Sequence, residues 1–265
     1  QAFHRLASDW RFKTALTLLI PPHQETEEFL TRLRKEFLVH IKNHSSISPE
    51  LKPLLEALAT QCFLNEYVYW QSDEERQWVD ELIKNTKKNK KAFNQYLPMI
   101  GCYRPIHGIT TQQEINSYPI NGDESQAFID TQYNEFETEQ GINARLNHRK
   151  EITNEVSLAV QKMYEENPYP RYKHADHTHP FFAKSTAEFI SLETTVANPS
   201  FFNELSTPNS SPKILIAGCG TGNQIINASR YKNAQITAID ISTNSLAYAA
   251  RKSQEYKMRN VRLQQ

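Results

Sequence analysis

The sequence predicts an α/β protein, with a mainly helical N-terminal region followed by the beginning of a doubly wound parallel sheet. Three observations carry that reading. Apolar residues recur at three- and four-residue intervals through most of residues 1–97, the period of amphipathic helices. The run Lys213-Ile-Leu-Ile-Ala-Gly-Cys-Gly-Thr-Gly222 joins a continuously apolar strand to a glycine turn. Asp240, 18 residues beyond Gly222, closes a second apolar strand. Strand, turn, helix and strand thus follow in the order that a parallel crossover requires.

In the helical region, Phe3, Leu6, Trp10, Phe12, Leu16, Leu19 and Ile20 predict one amphipathic run stopped by Pro21-Pro22. A second helix is expected over Glu25–Ile41, with Phe29, Leu33, Phe37 and Ile41 on one stripe. Ser48-Pro49 offers a cap and a first-turn proline for a third, whose apolar face is Leu51, Leu55, Leu58 and Cys62. Ser72 and Glu75 form a capping box ahead of Trp78, Val79, Leu82 and Ile83. The helices suit a bundle or an extension of a helical array, and no internal repeat of about 34 residues is visible.

Residues 98–212 read as an irregular and helical connector, punctuated by Pro98, Gly101, Pro105, Gly108, Pro119, Gly122 and Gly141. One helix is expected within it, with Ile142, Leu146, Ile152, Val156, Ala159 or Val160, and Met163 on its apolar stripe, ending at Asn167-Pro168. Two prolines keep Asn167-Pro-Tyr-Pro-Arg-Tyr172 from being regular helix or central strand. Asn198-Pro199 and Thr207–Pro212 bracket a linker before the final unit, residues 213–265.

Composition narrows the function class. Apolar residues make up 38% and charged residues 23%, and Lys+Arg balances Asp+Glu at 30 each, so no net field steers the chain to nucleic acid. Charge is uneven locally. Lys84, Lys87, Lys88, Lys90 and Lys91 suggest the solvated end of a helix, while Asp123–Glu139 holds acids without Lys or Arg. That acidic stretch reads as solvated surface, a mobile loop, or a face for a basic substrate. The odd set Cys62, Cys102 and Cys219 lacks paired spacing and suits free thiols in a reducing, cytoplasmic setting. No apolar run reaches the ~20 residues of a transmembrane helix.

The glycine run is the chemical signature. Missing side chains at Gly218 and Gly220 let the backbone turn tightly and let a ligand lie against it. A carboxylate at the end of the next strand, Asp240, suits the two vicinal hydroxyls of a ribose. Each such charge-assisted bond contributes roughly 1.5–3 kcal/mol. A dinucleotide turn of the form G-x-G-x-x-G would need glycine where Asn223 stands. A P-loop would need Gly-Lys-Ser/Thr, which is absent. Cys219 has no adjacent base and reads as packing beside a cofactor.

Ala217-Gly-Cys-Gly-Thr-Gly222 resembles motif I of the class I S-adenosylmethionine-dependent methyltransferases, and Ala238-Ile-Asp-Ile-Ser242 resembles the end of their second strand. Together with Ser245–Arg251, Asn167–Tyr172 and Ala59–Val68, these segments resemble bacterial methyltransferases associated with tetratricopeptide repeats, including rickettsial-type protein lysine methyltransferases. The resemblance implies a Rossmann-like domain and S-adenosyl-L-methionine held by Ala217, Gly218, Cys219, Gly220, Gly222, Asp240 and Ile241. It also implies a protein substrate and an upstream tetratricopeptide-repeat domain. Ile216 departs from the pattern, since many class I enzymes carry an acid two residues before the first motif glycine.

No catalytic side chain is assigned. Tyr169, Arg171 and Tyr172 are the candidates for the acceptor side, with packing between helical and catalytic regions as the other role open to them. His174, His177 and His179 form H-x-x-H-x-H, which matches no recognised zinc spacing, so no metal is expected. Glu165 and Glu166 could face an acceptor or be ordinary surface charge. Only 43 residues follow Gly222, so the expectation is a truncated catalytic domain with weak or no activity by itself. The alternative is a helical interaction or regulatory module attached to that incomplete domain.

Overall fold

A computed structural model describes residues 2–87, 89–146, 153–193 and 211–265. Lys88, Ile152, Asn198-Pro199 and residues 207–210 of the expected linker lie outside these. Two compact units emerge: Gln1–Glu137 with Arg171–Lys173, and Thr138–Pro170 with His174–Gln265.

The first unit is helical. The single run expected from Phe3 to Ile20 is two helices, α1 (Ala2–Ser8) and α2 (Trp10–Leu18). They separate because Asp9 caps the second, accepting hydrogen bonds from Arg11 N at 2.9 Å and Phe12 N at 3.2 Å. Helix α3 (Gln24–His44) ends at Ser45, which takes φ 52°. Ser48–Leu51 forms a turn, so α4 (Lys52–Leu64) starts later than Ser48-Pro49 suggests, with Pro53 in its first turn. In α5 (Asp73–Thr86) the capping box forms as predicted, with Ser72 and Glu75 bonding reciprocally. Then come α6 (Lys90–Gly101), α7 (Gln112–Ile115), α8 (Asp123–Ile129), a π turn at Asp130–Asn134 and α9 (Glu135–Asn143).

The expected single apolar face of α4 is too narrow a description, because Leu54–Leu64 is buried on every side. Helices α2, α6 and α8 pack around it. Residues assigned from sequence to a connector supply much of this core, including Met99, Tyr103, Ile106, Tyr118, Phe128 and Tyr133. Packing therefore divides the chain at Glu137 and not at residue 97. Several polar groups inside are paired, as burial favours. The Gln132 amide donates to Ala59 O (2.7 Å) and Gly101 O (3.0 Å) and accepts from Ile106 N (3.3 Å). Arg34, fully buried, donates to Trp70 O at 2.7 Å and Tyr69 O at 3.2 Å, with its guanidinium 4.2 Å over the Tyr103 ring.

Three of the six acids in the acidic stretch are ion-paired. Glu124 pairs with Lys13 at 2.7 Å, Glu135 with Lys173 at 2.7 Å, and buried Glu139 with Arg251 at 2.8 Å.

In the second unit, α10 (Glu155–Glu166) and α11 (Thr186–Glu193) precede β1 (Lys213–Ala217), α12 (Asn223–Asn227), β2 (Gln235–Ile239), α13 (Thr243–Glu255) and β3 (Val261–Gln264). The expected stripe from Ile142 to Met163 is divided between α9 and α10, and Val156 and Met163 are exposed. The strands form one parallel sheet in the order β1-β2-β3, with Ile214 opposite Ile236 and Ile236 opposite Val261. This parallel order, with a helix between successive strands, is Rossmann-like. Ile225, Ile236, Ala238, Leu246 and Ala249 fill its core. Among the described residues the outer edge of β1 carries no strand, and no helix is long and apolar enough to cross a membrane.

Gly222 sets how closely α13 approaches the turn after β1. It takes φ +87°, and a Cβ there would lie 2.7 Å from the Cβ of Ala249. Gly222→Ala is accordingly expected to lower the unfolding free energy of the sheet unit by roughly 1–3 kcal/mol, measured by urea denaturation.

A second expectation concerns pH. The His107 ring stacks on Phe136 at 3.6 Å, and burial lowers its pKa from 6.5 to about 4, against the opposing pull of the Gln132 carbonyl. The unfolded chain therefore binds this proton more readily. The stability from the neutral ring is complete above about pH 6.5 and is lost as pH falls toward 4. Between about pH 7 and about pH 4.5, the urea midpoint of the unmodified chain should fall further than that of His107→Gln.

Candidate functional site

The strands end together at Ala217, Ile239 and Gln264, and in open parallel sheets ligands bind beyond the carboxyl ends of the strands. A cavity of about 900 Å³ lies there. Gly218, Cys219, Gly220 and Thr221 form one side, Ile239, Asp240 and Ile241 another, and Val160, Tyr164, Tyr169 and Pro170 a third. Asn223 and Gln224 of α12, Ser245 of α13 and the terminal Gln264 and Gln265 complete the lining.

The turn is built by glycine chemistry. Gly218, Gly220 and Gly222 take φ +67°, +51° and +87°, a region costly for residues with a Cβ. Above Gly218 a Cβ would meet nothing within 4 Å, and above Gly220 only Tyr169 O at 3.7 Å. The backbone is thus open to a ligand at the first two glycines. At Gly222 the same absence of a side chain serves packing against Ala249 instead.

Asp240 ties two segments of this wall together. Its Oδ2 accepts from Gly220 N at 2.8 Å and its Oδ1 from Ser242 N at 2.9 Å. A carboxylate offers about four lone-pair sites, so about two remain beyond these bonds, and Asp240 lines the cavity. Cys219, 5% exposed, lines the cavity as a protonated thiol: burial pushes its pKa up to about 12, with the Asp240 charge adding to the rise. Burial and the neighbouring charge both disfavour the thiolate at neutral pH. Thr221 Oγ1 donates to Pro170 O at 2.7 Å, which anchors the irregular Asn167–Pro170 segment to the glycine turn.

Five residues singled out from sequence as cofactor-side, namely Gly218, Cys219, Gly220, Asp240 and Ile241, meet at the cavity. Ala217 is the last residue of β1 and Gly222 shapes the turn, so both stand behind the lining. The acceptor-side candidates separate. Tyr169 lines the cavity and is half-exposed. Arg171 is buried within the helical unit, where it is ion-paired to Glu66 with its guanidinium 4.4 Å over the Phe63 ring. Tyr172 is buried too. The carboxylate that Arg171 engages is therefore one from this chain. Among the histidines, His177 lies against the Tyr256 ring at 5.3 Å, and His179 Nδ1 accepts from Phe181 N.

Val160 and Tyr164 were not singled out as site residues. Val160 stood on the apolar stripe of α10, which in isolation reads as core, and Tyr164 lay outside it; no residue of α10 is buried. Glu165 points neither to an acceptor nor to bulk solvent. Its carboxylate accepts from Thr243 N at 2.7 Å and Asn244 N at 2.8 Å, at the start of α13.

Residues 214–265 match the family described as a methyltransferase domain. No curated protein and no solved structure matches the chain significantly. The C-terminal region is thus similar to a methyltransferase domain of general type.

Proposed function

We propose that this chain acts in methyl transfer from S-adenosyl-L-methionine to a protein, with a lysine side chain as the acceptor. The observation that carries the donor half is Asp240, held on the amide of Gly220 at 2.8 Å beside the open backbone of Gly218. In this reading the two remaining acceptor positions of Asp240 take the 2′- and 3′-hydroxyls of the ribose. Gly218 and Gly220 lie against the donor without a side chain to block it, Cys219 packs as a neutral thiol, and Ile241 contributes apolar surface. The bound cofactor supplies an electrophilic methyl group on a sulfonium centre.

The acceptor half rests on the resemblance of Asn167–Tyr172 and the flanking motifs to protein lysine methyltransferases. The cavity is compatible with it. An amine must arrive neutral to present a lone pair, and Tyr164 and Tyr169 offer aromatic surface that favours an alkyl amine over a hydrated ion. What the chain contributes is position and a partly dry wall.

Two measurements test these halves separately. Asp240→Asn keeps the side chain's size but replaces an acceptor by a donor. It should weaken S-adenosylhomocysteine binding by about tenfold or more in calorimetry, given ~1.5–3 kcal/mol for a hydrogen bond to a charged group. Unchanged affinity would remove Asp240 from the ribose site. For the acceptor, methyl-tritiated S-adenosylmethionine incubated with candidate proteins should place label on lysine, identified after hydrolysis to amino acids. Label recovered on other residues, or on small molecules alone, would sink the lysine reading.

A further inference from the structure

The N-terminus of α13 is organised by three side chains from separate parts of the second unit. A helix leaves its first four N–H groups without partners in its own ladder. Here the amide of the capping residue Ser242 donates to Asp240 Oδ1 at 2.9 Å, and Ser245 N donates to Ser242 Oγ at 3.0 Å. The two amides between them, Thr243 N and Asn244 N, go to opposite oxygens of Glu165 at 2.7 and 2.8 Å. Thr243 Oγ1 adds a bond to Glu165 Oε1 at 3.0 Å.

Glu165 is the penultimate residue of α10, and the backbone around it is fastened to the same turn. Asn244 Nδ2 donates to Glu165 O at 2.7 Å, and Gln161 Nε2 donates to Ile241 O at 3.0 Å. Two carboxylates therefore serve one helix end with divided tasks. Glu165 takes the two amides nearest the helix dipole, which attract a negative charge most strongly. Asp240 is left holding only the Ser242 amide on this side and Gly220 on the other. Without Glu165, the two vacated amides would compete for the Asp240 oxygens that otherwise face the cavity.

We propose that Glu165 is a positioning residue for the nucleoside pocket: by capping α13 it keeps Asp240 aimed at Gly220 and at the ribose hydroxyls. The ligand consequence rests on the donor reading given above, whereas the capping role can be read without any ligand. Glu165→Gln is the isosteric test: it removes the charge and replaces one of the two accepting oxygens, which now take one amide each, by an NH2 that can only donate. In the ligand-free protein, hydrogen exchange at Thr243, Asn244, Ser242 and Gly220 should accelerate while the later turns of α13 stay protected. Unchanged exchange at Ser242 and Gly220 would overturn the proposal whatever the protein binds.

With ligand, Glu165→Gln should weaken S-adenosylhomocysteine by about tenfold, comparable to a lost charge-assisted hydrogen bond. Its 2′,3′-dideoxy counterpart, which Asp240 cannot engage, should bind both proteins alike. Equal weakening of both ligands would make Glu165 a general structural residue and overturn its action through Asp240. Thr243→Val removes one bond to Glu165 and retains the charge; a smaller loss, again confined to the ligand with ribose hydroxyls, is expected. It keeps the test open if the glutamine variant fails to fold. If the unmodified protein binds neither ligand, the donor reading fails, and the exchange result alone decides the role of Glu165.

Discussion

The arrangement of the second unit turns on the Asp240 carboxylate. It bridges the glycine turn after β1 and the start of α13, through Gly220 N and Ser242 N. These are the two places where backbone leaves a parallel strand and enters a helix. An anion between them satisfies donors that neither helix nor sheet can satisfy. The cavity lies beside that bridge, so its shape depends on a side chain that both ties the backbone together and lines the opening.

That double use explains the residues around it. Glycine is required where the turn is open to a ligand, at Gly218, and where α13 packs against it, at Gly222. Glu165 relieves Asp240 of the other free amides of the helix. Cys219, buried beside a negative charge, stays neutral and adds no second anion to the wall. The Asn167–Pro170 segment belongs to the same construction through Thr221 and Pro170, while Arg171 satisfies its charge with Glu66 in the helical unit.

Much of this was legible in sequence because it is local. β1, β2 and the start of α13 follow from runs of apolar residues bounded by glycine, aspartate and serine within a few positions. The Ser72–Glu75 capping box is similarly short-range. What periodicity misjudged were segments with weak local signals and strong tertiary partners. Residues 98–137 carry prolines and glycines that break every period, yet Tyr103, Tyr118 and Phe128 are buried in the helical core. The acids of Asp123–Glu139 read as solvated because their cations, Lys13, Lys173 and Arg251, are far away in the chain.

The sequence by itself determined the order of strand, glycine turn, helix and strand-end acid, because each is set by steric and hydrogen-bonding preferences of neighbouring residues. It thereby placed Gly218, Gly220 and Asp240 together at one end of the sheet, where the cavity lies. Only the tertiary structure decided which side chains share that wall. Tyr169 and Arg171 are two residues apart, yet one lines the cavity and the other is buried against Glu66. Glu165, indistinguishable from its exposed neighbour Glu166 in sequence, caps α13 from 78 residues away at Thr243. Distance along the chain carries no information about such pairings, which depend on where packed helices bring opposite partial charges together.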